Sequence, residues 1–222
     1  MKTHHKFLTT LRHKRIQTIS LVGTLLVALA LTGCQTVQQT TSNSKPASVN
    51  PVTVARQTPQ FTNLLDVDLV QPISTWDAKP VPNQAAESAI RVQTESGQWV
   101  TLNAKQHPIL FVAYWCPHCQ RTLVLMNQHF HSPNDWPTIV YVGYANGFPL
   151  SSAVKIADEE KETFHLSFTK PYFLIGTVEK KYIDGFPFLA FADGKQVDFI
   201  VGEHTWPMWE KAMLMGDANT GK

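Results

Sequence analysis

Six apolar residues, Ile109-Leu110-Phe111-Val112-Ala113-Tyr114, run without a break into Trp115-Cys116-Pro117-His118-Cys119. No other stretch of the chain constrains its fold as tightly. The length of the run and its β-branched and aromatic content predict a strand buried on both faces. Beyond it, Gln120 to His131 carries a helical stripe at Leu123, Met126 and Phe130. Pro117 suits the first turn of such a helix, where a missing N–H costs nothing. A strand that passes directly into a helix sets both cysteines at the helix start. There the free N–H groups and the positive end of the helix dipole favour a thiolate. Two cysteines at this spacing can close a small disulfide ring. Cys116 is therefore expected to be the accessible thiol with a depressed pKa, the sulfur that attacks or is attacked. Cys119, one turn deeper, is expected to resolve the mixed disulfide. His118 adds an imidazole that can further favour the Cys116 thiolate.

The surrounding sequence supplies a sheet for that strand. Ile90-Arg91-Val92 and Trp99-Val100-Thr101-Leu102 flank a Ser96-Gly97 turn and predict a hairpin. Thr138 to Val142 predicts a second buried strand. Ser151 or Ser152 is placed to cap a helix running to about His165, with Asp158-Glu159-Glu160 on its exposed face. Tyr172 to Ile175 reads as a short extended piece. Phe188 to Phe191, the Asp193-Gly194 turn and Gln196 to Val201 predict another hairpin. Trp206 to Met215 predicts a closing helix with Pro207 in its first turn and Trp206, Trp209 and Met213 in the core. Arg121 is expected on a solvated face. Strands alternating with helices imply an α/β domain. Residues 61–89, broken by Pro72, Pro80 and Pro82, are expected to pack onto it through Phe61, Leu64, Leu65 and Trp76. Gly185-Phe186-Pro187 directly precedes a strand, and a proline there points to an edge or a special peptide bond.

A strand ending in Trp-Cys-x-x-Cys, with a later Gly-x-Pro before a β-hairpin, resembles the thioredoxin superfamily. The resemblance runs from about Ile90 to Met215. It implies a thioredoxin-like fold, a central mixed β-sheet flanked by helices, here with an N-terminal β-hairpin extension. It also implies a thiol–disulfide oxidoreductase whose Cys116/Cys119 disulfide is the redox centre, with no other cofactor and no metal. Pro187 would follow a cis bond and lie against the dithiol. Phe186 would offer its backbone to a substrate strand, and Trp115, Pro117 and His118 would modulate the pair. Gly97 to Leu102 before the central strand is similar to membrane-bound reductases of the TlpA and ResA kind. The Pro-His dipeptide instead resembles the oxidase DsbA. The direction of electron flow is therefore open. Many relatives carry a buried acidic or polar residue six positions before the first cysteine. Leu110 stands there in this chain, so Glu95, Glu203 or water would have to move the proton of the deeper thiol.

Metal binding gives the rival function. A structural zinc site needs four ligands, and there is no second Cys-x-x-Cys. Some thioredoxin-fold metallochaperones hold copper with two cysteines and a distant histidine. His165 or His204, with Met208, Met213 or Met215 as soft donors, keeps a copper-binding assembly factor as the alternative.

The first sixty residues are of a different kind. Lys2, Lys6, Arg12, Lys14 and Arg15 precede an apolar stretch, Ile16 to Ala30, and then Leu31-Thr32-Gly33-Cys34. This is the pattern of an export signal, and it is shorter than the about 20 residues of a membrane span. The ending resembles the bacterial lipobox, which implies cleavage before Cys34 and lipid on its thiol. An uncleaved signal anchor is the other possibility. In both cases the domain faces outward from the cytoplasmic membrane, where disulfides persist. The expected organisation is a signal peptide over 1–33, a flexible tether over 34–60 and the extension over 61–89. A thioredoxin-like domain over 90–216 and a disordered tail over 217–222 follow. The expected partners are protein thiols and disulfides outside the cytoplasm, an electron-transfer partner and the membrane itself. Nucleic acid is not among them. Of 19 Lys and Arg, five fall in residues 1–15, and the rest are outnumbered by 17 Asp and Glu. The domain therefore lacks the clustered cations that phosphate contacts require.

Overall fold

The computed structural model describes residues 61–218. The expected signal, the expected lipidation site Cys34, the expected tether and residues 219–222 of the expected tail lie outside the described residues. In chain order the elements are β1 (Lys79–Pro80), α1 (Gln84–Glu87), β2 (Ile90–Gln93), β3 (Trp99–Leu102) and β4 (Ile109–Ala113). Then come α2 (Pro117–His129), β5 (Thr138–Val142), α3 (Leu150–Thr163), β6 (Tyr172–Phe173), β7 (Phe188–Asp193), β8 (Gln196–Val201) and α4 (Trp206–Ala218). Short 3-10 turns occur at Phe61–Leu64, Pro133–Asp135 and Val178–Lys181.

The strands form one mixed sheet in the order β1-β8-β7-β4-β5-β6-β2-β3. Every residue of β4 is buried, as expected of a strand with neighbours on both edges and helices above and below. It runs parallel to β5, Ile109 opposite Thr138, and antiparallel to β7, Leu110 opposite Leu189. Parallel neighbours need a crossover, which α2 supplies between β4 and β5 and α3 between β5 and β6. The β7–β8 hairpin turns at Gly194, whose φ of +60° suits a residue without a Cβ. The β2–β3 hairpin joins the sheet through Gln93 opposite Phe173. This is the α/β, thioredoxin-like architecture expected from the sequence.

The helices seat on the sheet through the stripes read from the sequence. Leu123 and Met126 of α2 are fully buried, and Phe130 packs edge-on against Trp136 and Trp206. In α4 the Trp209 ring is fully buried and its Nε1 donates to the His204 carbonyl at 2.9 Å. Gly216 lets α4 close on the sheet, since a Cβ there would stand 2.5 Å from Pro108 Cγ.

Three expectations are corrected. The helix α3 begins at Leu150, with Pro149 at its N-cap and no side-chain capping bond; Ser151 and Ser152 lie inside its first turn. Glu160 is not on an exposed face but fully buried, in line with Ala153 and Ala157. The last helix continues through Ala218, past the point where a tail was expected.

The segment before β2 is bound at several points. Phe61 packs edge-on against Phe164, and Trp76 lies against Phe191 with Lys211 Nζ 4.1 Å from its ring centre. Asp77 Oδ1 meets His204 Nε2 at 3.0 Å. Gln84 pairs with the Val197 backbone through both amide atoms, at 2.8 and 2.7 Å. No helix of the described residues is long and apolar enough to cross a membrane.

Candidate active site

The end of β4 delivers the dithiol. Cys116 N donates to Ala113 O at 3.0 Å, which turns the chain out of the sheet. Cys116 is then the N-cap of α2, with Pro117 at the first helical position. Its carbonyl accepts the N–H of Cys119 at 3.0 Å and of Gln120 at 3.2 Å. Cys119 Sγ accepts the Ala113 N–H at 3.4 Å. Both cysteines are free thiols.

Cys116 is only 4% exposed and Cys119 0%. The expectation of an open Cys116 is thus corrected: it is the less buried of two buried sulfurs. The two thiols are nevertheless driven apart. Cys116 is lowered to about 6, chiefly by the hydrogen bond from the Cys119 side chain, with burial opposing. The Cys119 N–H, the charge of His118 and the His118 N–H lower it further. The helix start and His118 therefore contribute, but the partner thiol contributes most. Cys119 is pushed well above the usual thiol range, first by burial and then by the hydrogen bond and charge of Cys116. One sulfur is thereby prepared as a thiolate and the other holds its proton.

Trp115 forms the exposed wall of the site, at 46% exposure. Its Nε1 donates to Gly143 O at 3.0 Å. Gly143 has φ +78°, and a Cβ there would stand 3.0 Å from Trp115 Nε1, so this seat for the indole requires glycine. The Phe186 ring meets Trp115 edge-on, with centroids 5.3 Å apart. The Phe186–Pro187 peptide is cis, and Pro187 O accepts the Gly202 N–H at 2.8 Å. Beside Trp115 and Phe186 opens a groove of about 730 Å³, lined also by Tyr144, Ile183, Glu179 and Lys180.

His118 is held by charges that the sequence did not assign to it. Its Nδ1 lies 3.1 Å from Glu203 Oε2 and 2.9 Å from Arg121 Nη2. Arginine only donates, so an unprotonated Nδ1 accepts from Arg121 and a protonated one donates to Glu203. Arg121 is not on a solvated face. Its Nε and Nη2 grip Glu203, and its other bonds go to the carbonyls of Leu65, Val67 and Asp68. Glu203 is thus engaged with His118 and Arg121. Glu95 pairs with Lys170 at 3.6 Å.

A different carboxylate faces the sulfurs. Glu160 lies among Gln120, Tyr141 and Tyr144; its charge acts on Cys119, and the charge of Cys116 acts on it. The Tyr141 hydroxyl donates to Glu160 Oε2. Burial pushes Glu160 up to about 8, with the Tyr141 and Gln120 side chains opposing. The sequence did carry a signal for it. Ala153, Ala157 and Glu160 follow a helical period, so the acid stands on the buried stripe of α3.

For metal binding, the described residues contain no cluster of three His, Cys, Asp or Glu placed to hold an ion. His204 is buried, with Nδ1 3.0 Å from Gly202 O and Nε2 on Asp77.

No family model matches the chain, and no curated protein matches it. Among solved structures it is similar to DsbF of MTB, seen in mixed oxidised and reduced forms. That match has 18% identity, covers 60% of this chain and 98% of that one, and has a TM-score of 0.42. It is similar to a secreted disulfide oxidoreductase of Mycobacterium tuberculosis, at 14% identity, 62% and 98% coverage and a TM-score of 0.39. It is also similar to StoA of Bacillus subtilis, at 19% identity, 57% and 97% coverage and a TM-score of 0.41. Likenesses of this size carry no functional argument, so the chemistry rests on the residues of the site itself.

Proposed function

We propose that this chain is an extracytoplasmic thiol–disulfide oxidoreductase that exchanges a Cys116/Cys119 disulfide with partner proteins. The observation that carries the reading is the split between the two thiols at the start of α2, one lowered to about 6 and one raised. In the reducing direction the Cys116 thiolate attacks a partner disulfide and forms a mixed disulfide. Cys119 then attacks Cys116 Sγ, closing the ring and releasing the partner thiol. The oxidising direction is the reverse. The exposed Trp115 and the half-buried Phe186, with the groove beside them, give an apolar surface for a partner segment. Trp115, Pro117, His118, Phe186 and Pro187 are the residues expected to tune or bind. The domain spans 90–216 with the extension over 61–89, on a tether over 34–60 and a lipid on Cys34.

The thiolate also bears on direction. A Cys116 near 6 lies between the about 7 of thioredoxin and the about 3.5 of DsbA. A thiolate held below the usual thiol range stabilises the reduced form, which makes the disulfide form the better oxidant of partner thiols.

Turbidity of insulin in dithiothreitol tests the activity. The full chain should speed insulin reduction, Cys116→Ser should return it to the uncatalysed rate, and added copper should leave it unchanged. A chain that takes up stoichiometric copper tightly on the dithiol and does not speed insulin reduction would establish the metallochaperone alternative instead.

A further inference from the structure

Cys119 must lose a proton to resolve a mixed disulfide, yet it is fully buried and its ionisation is strongly disfavoured. Solvent is not at hand to take that proton. The buried carboxyl of Glu160 is. It stands on the buried stripe of α3, accepts a hydrogen bond from the Tyr141 hydroxyl of β5, and acts on Cys119 through its charge. Three groups link it to the site. Gln120, next in sequence to Cys119, is fully buried, and its Nε2 is anchored on Tyr114 O. Tyr141 of β5 donates to Glu160 Oε2. Tyr144, stacked on Tyr114 at 5.3 Å, completes the wall. Among the described residues, Glu160 Oε1, Gln120 Oε1 and the Tyr144 hydroxyl have no hydrogen-bond partner. Buried polar atoms in that state are costly for stability alone. Three of them around one carboxyl that acts on Cys119 point to a role in moving protons. The titratable groups facing Glu160 are Cys116 and Cys119 from α2, Tyr141 from β5 and Tyr144 just after it.

We propose that Glu160, held by the Tyr141 hydroxyl, is the internal proton acceptor for Cys119 as the mixed disulfide is resolved. The inference rests on the reading of Cys116/Cys119 as an exchange pair. In the step, the Cys119 S–H bond breaks and its proton passes to the Glu160 carboxylate. The sulfur electron pair forms the bond to Cys116 Sγ. The bond from Cys116 Sγ to the partner sulfur breaks, its electron pair leaving on the partner thiolate, which takes a proton from water. The dithiol is oxidised by two electrons and the partner disulfide is reduced by two. Glu160 later returns its proton to solvent or, in the reverse direction, to Cys119.

Ellman's reagent separates the steps. The full chain carrying Cys34→Ser presents only the two site thiols. A first thionitrobenzoate is released when Cys116 attacks, and a second when Cys119 resolves the mixed disulfide. The second release should rise with pH through the Glu160 ionisation, about 8 in the free dithiol and lower once Cys116 is bonded and uncharged, because only the carboxylate accepts. Glu160→Gln should slow that second release about a hundredfold at pH 8, the scale of lost general-base assistance. It should also move the rise to the alkaline ionisation of Cys119 itself, while the first release is unchanged. Tyr141→Phe provides the control for folding. It removes a hydrogen bond that lowers Glu160, so the inflection should shift to higher pH. A second release with unaltered rate and profile in Glu160→Gln, or an unshifted inflection in Tyr141→Phe, overturns the proposal. A first release that survives Cys116→Ser would instead overturn the exchange reading beneath it.

Discussion

Cys119→Ser should accumulate mixed disulfides with partner proteins through Cys116, and Cys116→Ser should accumulate almost none. The expectation comes from thiolate populations. At pH 7 a thiol near 6 is about nine-tenths ionised, whereas an ordinary thiol near 8.5 is about 3% ionised, roughly a thirtyfold difference in nucleophile. Cys119 is worse than ordinary, since burial raises it well above that range. Serine keeps an O–H donor where the Cys119 S–H stood, so the hydrogen bond that lowers Cys116 most has a replacement. The adducts of the trapping variant should persist because no thiol is left to resolve them. Non-reducing gels and mass spectrometry of the trapped species read the result. In the intact pair, attack by Cys116 should weaken as pH falls through about 6, because protonation removes the nucleophile. Abundant adducts in Cys116→Ser would reverse the assignment of the two sulfurs.

Leu110→Asp should cost stability without speeding exchange. Leu110 lies in the middle of β4, fully buried and between Ile139 and Leu189. Its neighbours in the sheet, Ile139 and Leu189, offer a carboxylate neither a cation nor a side-chain donor, and an uncompensated buried charge costs about 3–5 kcal/mol. Part of this cost will be relieved by protonation at the expense of a raised pKa. The resemblance to thioredoxins puts the proton acceptor of many relatives at this position. With Glu160 already beside the sulfurs, a second acid adds no acceptor and repels the first. Urea unfolding should show the loss, and the second thionitrobenzoate release should not accelerate. A faster release in Leu110→Asp would mean that Glu160 is not moving the proton.

The chain is most legible where local and tertiary demands agree. Ile109 to Tyr114 is apolar throughout because β4 has neighbours on every side, and Pro117 marks the helix start because the first turn needs no N–H there. Asp193-Gly194 announces its hairpin through a residue that tolerates positive φ. Legibility fails where tertiary contact decides. Lys79–Pro80 becomes a strand by pairing with Phe199 and Asp198 of β8, which no local pattern reveals. Arg121 has the type of a surface residue. Its burial follows from three carbonyls in residues 65–68 and from Glu203, all more than 50 positions away. Glu160 ends a run of three acids, so its charge type points to solvent, while the helical period puts it in register with the buried Ala153 and Ala157. An acid on an apolar stripe is the pattern to heed, since burial is then dictated by position rather than by residue type.

The central claim is that Cys116 and Cys119 form one reversible two-electron couple. The full chain, equilibrated with dithiothreitol or glutathione buffers and then alkylated, can be weighed to count free thiols at each potential. The account predicts a single transition in which both site thiols disappear together into an intramolecular disulfide. Its midpoint should fall between about −270 mV, the thioredoxin value, and about −120 mV, the DsbA value. A pair that stays reduced in every buffer, or that loses Cys116 alone to a persistent glutathione adduct, would contradict it.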